Sequence, residues 1–190
     1  MIVFIVIIII ISLLLFFYRH PIPIIRKSNE DSVYAPAFGK VMKISRQDNK
    51  LFIAIFLSPF DVHYQYCPIS GIIKNVKYDA TGKFKLAYEL NKSNENEKSI
   101  TTISNKHGDF IVYQIAGYLV RRISTFVEKN KHVETGETMG LIHFGSRVDI
   151  IIPNSNEFDC KVSEGDYVSG FNTLLGQYKK YSEIEQINKV

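Results

Sequence analysis

At 190 residues, 46% of them apolar and none of them tryptophan, the chain is long enough for one domain with a filled core. A formal net charge of +4, with no basic run interleaved with aromatics, argues against nucleic acid as a partner. Cys67 and Cys160 are too few for a disulfide framework and have no metal-ligand spacing with the five histidines, so they read as buried or inert thiols and no metal site is expected.

The first predicted element is the run 2–18, apolar throughout except for Ser12. At ~1.5 Å per residue it falls at the short end of what spans a bilayer. No basic stretch precedes it and no small-residue cleavage site follows, so residues 1–18 read as a retained membrane anchor rather than a removed signal. Arg19, His20, Arg26 and Lys27 come next, and the positive-inside tendency then puts the remaining chain on the cytoplasmic face. Pro21 and Pro23 stop the helix. Residues 19–32 form a juxtamembrane linker, and 33–190 one further domain.

Beyond the linker the signals are short. Apolar or β-branched runs at 39–45, 51–57, 71–78, 110–116, 122–127 and 147–152 are bounded by Gly, Pro, Asn and Asp, which predicts strands of an all-β fold. Helical spacing returns only at 119–122 and 174–187. Two stretches, 133–140 and 162–170, echo each other, each with a Gly-acid turn between apolar residues (Gly136-Glu137 and Gly165-Asp166). Such turns recur in barrel-sandwich-hybrid folds, so the expectation is a mainly β, hairpin-rich domain with the N-terminal helix and a few short helices. A Met-Lys-Met modification site is absent, which argues against a carrier role. The polar run 91–99 reads as a solvated loop.

Two stretches carry chemistry. In 56–65, Asp61 and His63 stand two apart. On an extended strand they share a face, where a carboxylate orients an imidazole and raises its basicity. In 141–153, Gly145-Ser146 interrupts an apolar, strand-like surround. The Ser146 hydroxyl is then within reach of the Gly145 carbonyl carbon, a geometry that permits an N-to-O acyl shift. An ordinary bulge with a hydrogen-bonded serine is the other reading of the same pair.

At this point the chain resembles the short class of phosphatidylserine decarboxylases, which includes archaetidylserine decarboxylases. The resemblance is carried by Tyr18-Arg19-His20-Pro21, Ala35-Pro36-Ala37-Phe38-Gly39-Lys40-Val41, Leu57-Ser58-Pro59-Phe60-Asp61-Val62-His63 and Pro68-Ile69-Ser70-Gly71. Further along it continues through Gly82-Lys83-Phe84, Asn94-Glu95-Asn96-Glu97, Gln114-Ile115-Ala116-Gly117 with Arg121-Arg122-Ile123, and Phe144-Gly145-Ser146-Arg147-Val148-Asp149. It spans essentially the whole chain, in order.

The resemblance implies a self-cleaving proenzyme. Ser146 attacks the Gly145 carbonyl, the resulting ester undergoes β-elimination, and hydrolysis leaves a pyruvoyl group at residue 146. The products are chains 1–145 and 146–190, which stay associated. The pyruvoyl cofactor forms a Schiff base with the amine of a serine phospholipid (phosphatidylserine or archaetidylserine) and accepts the electrons released with carbon dioxide. Asp61 and His63 are then the candidates for proton transfer. The implied partners are the membrane, the lipid and, in some members, further copies of the chain.

Three positions depart from the family pattern. Phe38 stands where Asp is usual, Lys98 where Arg is usual, and 82–91 has no histidine. His143, two residues before the cleavage pair, reads as a solvent-facing strand histidine. A membrane-tethered binding module without catalysis, or a diverged pseudoenzyme, is the alternative, and it gives Ser146 no role.

Overall fold

The computed structural model describes residues 1–80, 96–117, 122–143 and 146–179. One helix, α1 (Ile2–Phe17), is followed by β1 (Ser32–Tyr34), β2 (Gly39–Gln47), β3 (Lys50–Leu57), β4 (Tyr64–Tyr66), β5 (Gly71–Asp79), β6 (Lys98–Asn105) and β7 (Gly108–Ile115). Then come β8 (Ile123–Thr125), β9 (His132–Val133), β10 (Thr138–Ile142), β11 (Ser146–Ile152), β12 (Phe158–Cys160), β13 (Tyr167–Val168) and β14 (Leu174–Tyr178).

Eight strands in the order β13-β2-β3-β11-β7-β6-β5-β9 form one antiparallel sheet that curls into a half-barrel. Two three-stranded sheets, β4-β10-β8 and β1-β14-β12, pack with it. The long hairpins follow from local chemistry. Asp48 and Asn49 both adopt positive φ (50° and 55°), the two-residue turn that matches strand twist, and they join β2 to β3.

β11 is paired on both sides, Val148 with Ile55 of β3 and with Gln114 of β7. Its alternation sends Val148, Ile150 and Ile152 into the core beside Ile53, Ile55 and Val112. Arg147, Asp149 and Ile151 take the opposite face. Ser146 shares the parity of the core-facing set, and that places its hydroxyl inside.

All six predicted strands are present. The echoed turns are as expected in geometry, with Gly136 at φ 93° and Gly165 at φ 96°. A Cβ at Gly136 would lie 2.2 Å from the Ile24 carbonyl oxygen, so a side chain is excluded there by space as well. These turns pass the chain between partners instead of closing hairpins: β9 pairs with β5, β10 with β4 and β8, and β13 with β2.

Two expectations are corrected. The helical stretch 174–187 begins as strand β14, because pairing with both β1 and β12 satisfies its backbone and buries Leu175 and Tyr178. Gly176 permits that packing, since a Cβ there would meet the Asp159 carbonyl oxygen at 2.4 Å. Residues 180–190, and 119–121 of the other predicted helical turn, lie outside the described residues. Among the described residues, α1 is the one helix, not the first of several.

The second correction concerns the span. α1 has 16 residues, about 24 Å at helical rise, and among the described residues no helix is long and apolar enough to cross a membrane. Proline-bearing sequence ends it one residue short of the predicted run. It is nonetheless apolar on every side, exposed from Ile2 to Phe16, with Phe17 alone buried against the domain.

Candidate active site

The site forms where β10 runs toward β11. Ser146 opens β11 opposite Leu57, the last residue of β3. Its side chain is fully buried, and its Oγ has no hydrogen-bond partner. A buried hydroxyl normally finds a partner, so this orphan marks Ser146 as different from the serines of the turns. Phe144 and Gly145 lie outside the described residues.

From Leu57 the chain turns through Ser58–Val62 to His63, which is fully buried. The His63 carbonyl accepts the Ile142 N–H at 3.1 Å. His63 is thus tied to the last residue of β10, four residues before Ser146, while its own loop departs from the strand partner of Ser146.

The ring is oriented by backbone. His63 Nδ1 lies 2.9 Å from the Asp61 carbonyl oxygen. A carbonyl only accepts, so Nδ1 carries the proton and Nε2 holds the lone pair. Nε2 is buried and has no partner. Burial pushes the His63 pKa down to about 4, against the opposing pull of the Asp61 carbonyl and carboxylate. The imidazole is therefore neutral at pH 7. The Phe17 ring covers it, with centroids 4.3 Å apart.

The expected contact between the Asp61 carboxylate and the ring is not made. Asp61 Oδ2 instead accepts from the Ser58 N–H at 2.7 Å and the Ser58 hydroxyl at 2.8 Å, closing the turn at Pro59. Asp61 and His63 sit in that loop and not on a strand, so the parity that put them side by side does not apply. The carboxylate acts on the ring through charge alone.

His143 is also placed differently from expectation. It follows β10, half-buried, with Nδ1 3.0 Å from the Tyr18 hydroxyl and Nε2 3.4 Å from Ser124 Oγ. Burial and the Arg122 charge lower its pKa. Phe38 packs edge-on against Tyr66 and Phe171, with centroids 6.2 and 5.8 Å away. An aromatic cluster thus fills the position where the family pattern has a carboxylate. Cys67 is buried and its thiol pKa raised by that burial, as an inert core cysteine should be.

On the other face of β11, Arg147 donates to Asp149 at 2.9 Å with a second contact at 2.8 Å, both side chains buried. Burial lifts the Asp149 pKa to about 6, opposed by the guanidinium. Asp149 also lines a cavity of about 350 Å³ with Phe52, Lys98, Tyr113, Ile115 and Ile151. This cavity opens on the face away from Ser146 and is not the candidate site.

The sequence assigns no role to Gln65, and Gln114 enters there only as part of the resemblance. Both are fully buried and hydrogen-bonded to each other at 2.8 Å, and Gln65 Nε2 donates to the His63 carbonyl at 2.5 Å. A glutamine at an inward position of the predicted strand 110–116 was the available signal.

A buried serine with an unsatisfied hydroxyl at the start of β11, and a neutral histidine with a lone pair to offer, tied through its carbonyl to Ile142 of β10, are the kinds of group that a nucleophile and its base require. Comparison with known proteins gives that class a family. The phosphatidylserine decarboxylase family model matches residues 12–176. A phosphatidylserine decarboxylase proenzyme of Cytophaga hutchinsonii is 38% identical over 85% of this chain and 76% of its own length. One from Wolbachia sp. subsp. Brugia malayi is 38% identical over 90% of this chain and 78% of its own. A protein of Methanococcoides burtonii with a provisional archaetidylserine decarboxylase proenzyme name is 33% identical, over 87% and 75%. The chain belongs to the phosphatidylserine decarboxylase family.

Proposed function

We propose that the chain is a self-cleaving proenzyme whose mature form removes carbon dioxide from the headgroup of a serine phospholipid, phosphatidylserine or archaetidylserine. The observation that supports this most directly is the pair of buried atoms without partners, Ser146 Oγ at the start of β11 and His63 Nε2 on the residue whose carbonyl holds the end of β10. In this reading His63 Nε2 takes the Ser146 hydroxyl proton as that oxygen adds to the Gly145 carbonyl carbon. The Asp61 carbonyl holds the ring in the tautomer that allows it, and the Asp61 charge offsets the imidazolium that forms.

The family's pyruvoyl group fits position 146. A fully buried position keeps an electrophilic carbonyl away from water. Once formed there, the group supplies an electron sink for the pair left by carbon dioxide. His63 then serves as the proton carrier, and the unpartnered Nε2 is the atom that holds the proton.

A lipid substrate also gives α1 a role. A helix apolar on every side needs an apolar environment, and α1 finds one by inserting into a leaflet. Its root is fixed to the site: Phe17 covers His63, and Arg19 donates to the carbonyl of Phe60, itself exposed at the loop tip. Insertion brings His63 near headgroup depth, with Arg19, Arg26 and Lys27 at the root of the helix, where they can meet anionic headgroups.

Intact mass spectrometry of the wild type and Ser146→Ala tests the reading. Two chains parting after Gly145, the smaller with a pyruvoyl-blocked N-terminus, are expected from the wild type, and one whole chain from the variant. A wild type that stays whole overturns it.

A further inference from the structure

We propose that Gln114 and Gln65 are positioning residues for the self-cleavage proposed above, on which this inference rests: their amides form a one-way hydrogen-bond chain that fixes His63 against the strand leading to Ser146. The direction of the chain is set at its end. The His63 carbonyl can only accept, so Gln65 must present Nε2 to it (2.5 Å) and is left with Oε1 facing Gln114. Gln114 must then donate through its own Nε2 (2.8 Å). Neither amide can flip without placing two acceptors or two donors face to face.

The chain has room built for it. A Cβ at Gly140 would lie 2.5 Å from Gln114 Nε2 and 2.6 Å from the Ser124 carbonyl oxygen, so β10 carries glycine where the Gln114 amide passes. In register, Gln114 stands opposite Val148, two residues along β11 from Ser146 and on the same inward face. The same His63 carbonyl receives Ile142 N–H from the other side. The base-bearing residue is thereby held from two directions.

The arrangement also leaves Gln114 Oε1 buried without a partner. Apolar residues of similar volume would fill the space without that cost, so packing alone does not account for two glutamines in the core.

The test replaces Gln114 by Met and by Glu in the full-length chain, with cleavage followed by intact mass. A protonated carboxyl offers one donor and one acceptor, like the amide, whereas a carboxylate only accepts. Burial pushes such a carboxyl toward protonation at mildly acid pH. Gln114→Met is expected to cleave slower by about tenfold or more at every pH. Gln114→Glu should be as slow at about pH 8 and recover most of the loss at about pH 5.5, rates being referred to wild type at the same pH.

That recovery is a readout that lost packing does not produce. Wild-type rates in Gln114→Met, or the same pH-independent defect in both variants, overturn the inference. If Gln114→Met fails to fold, the ratio of rates at the two pH values in Gln114→Glu decides alone. A wild type that never cleaves removes the reading beneath it. A cleaving wild type with an indifferent Gln114→Met removes this inference only.

Discussion

A histidine serves as a base only while it is neutral, and His63 stays neutral because burial outweighs the two Asp61 groups that favour its charge. The acid limb of the self-cleavage rate should therefore lie near pH 4, not at the ordinary histidine value, and vanish in His63→Gln along with about 10²–10⁴-fold of rate. Asp61→Asn should cost far less, about tenfold or under, because its carboxylate closes the Ser58 turn and never touches the ring. Stopped time courses by mass spectrometry separate these outcomes. Stability carries the same signature. The unfolded chain protonates His63 first, so the stability from its neutral burial is complete above about pH 6.5 and is lost as pH falls toward 4. Asp149, with its pKa raised to about 6, works in the opposite sense over much of that range, favouring the fold at acid pH and less as pH rises. Ser146, Asp61 and His63 were legible because Gly-Ser and Asp-x-His are local patterns. The orientation of His63 was not, since the Pro59 turn replaced the strand on which the side-by-side argument depended. Gln65 and Gln114 acquire meaning only when β4, β7 and β10 are brought together.

β11 shows how a single element serves two faces. Its inward residues fill the core and carry Ser146, and its outward residues bury the Arg147–Asp149 pair. Arg147→Met strands the Asp149 carboxylate and should cost about 3–5 kcal/mol at neutral pH, where the carboxylate is charged. Denaturant titration at mildly acid pH should find a smaller loss, because Asp149 can then be protonated. At this scale the sequence was legible where apolar runs stood out, which is why β2, β3, β5, β7, β8 and β11 were found, while β6 (Lys98–Asn105), built largely of Ser, Thr and Asn between its isoleucines, was missed and its start read as a solvated loop. Strands of two or three residues, such as β1, β4, β9 and β13, take their identity from the strand beside them. β14 was misread for the same reason: its spacing suits a helix, and only β1 and β12 on either side make it a strand.

For the whole molecule, the apolar helix and the buried site meet at Phe17. Removing residues 1–14 while keeping Phe17 should abolish co-sedimentation with phospholipid vesicles and leave self-cleavage intact, as read by mass spectrometry; retained vesicle binding would relieve α1 of that role. The placement of β11 reaches further. A cut before Ser146 frees the end of a strand held between β3 and β7, while the same fragment, 146–190, also contributes β14 between β1 and β12 and pairs β13 with β2. The fragments are interwoven across two sheets, so each lacks a complete core without the other. The proposed maturation would thereby turn a folding problem with one participant into one with two. The uncut chain can refold at any dilution, whereas the mature pair must first find each other, and its melting temperature should rise with protein concentration where the precursor's does not. In that reading, the reaction that makes the enzyme active also ties its recovery from unfolding to the meeting of two separate chains.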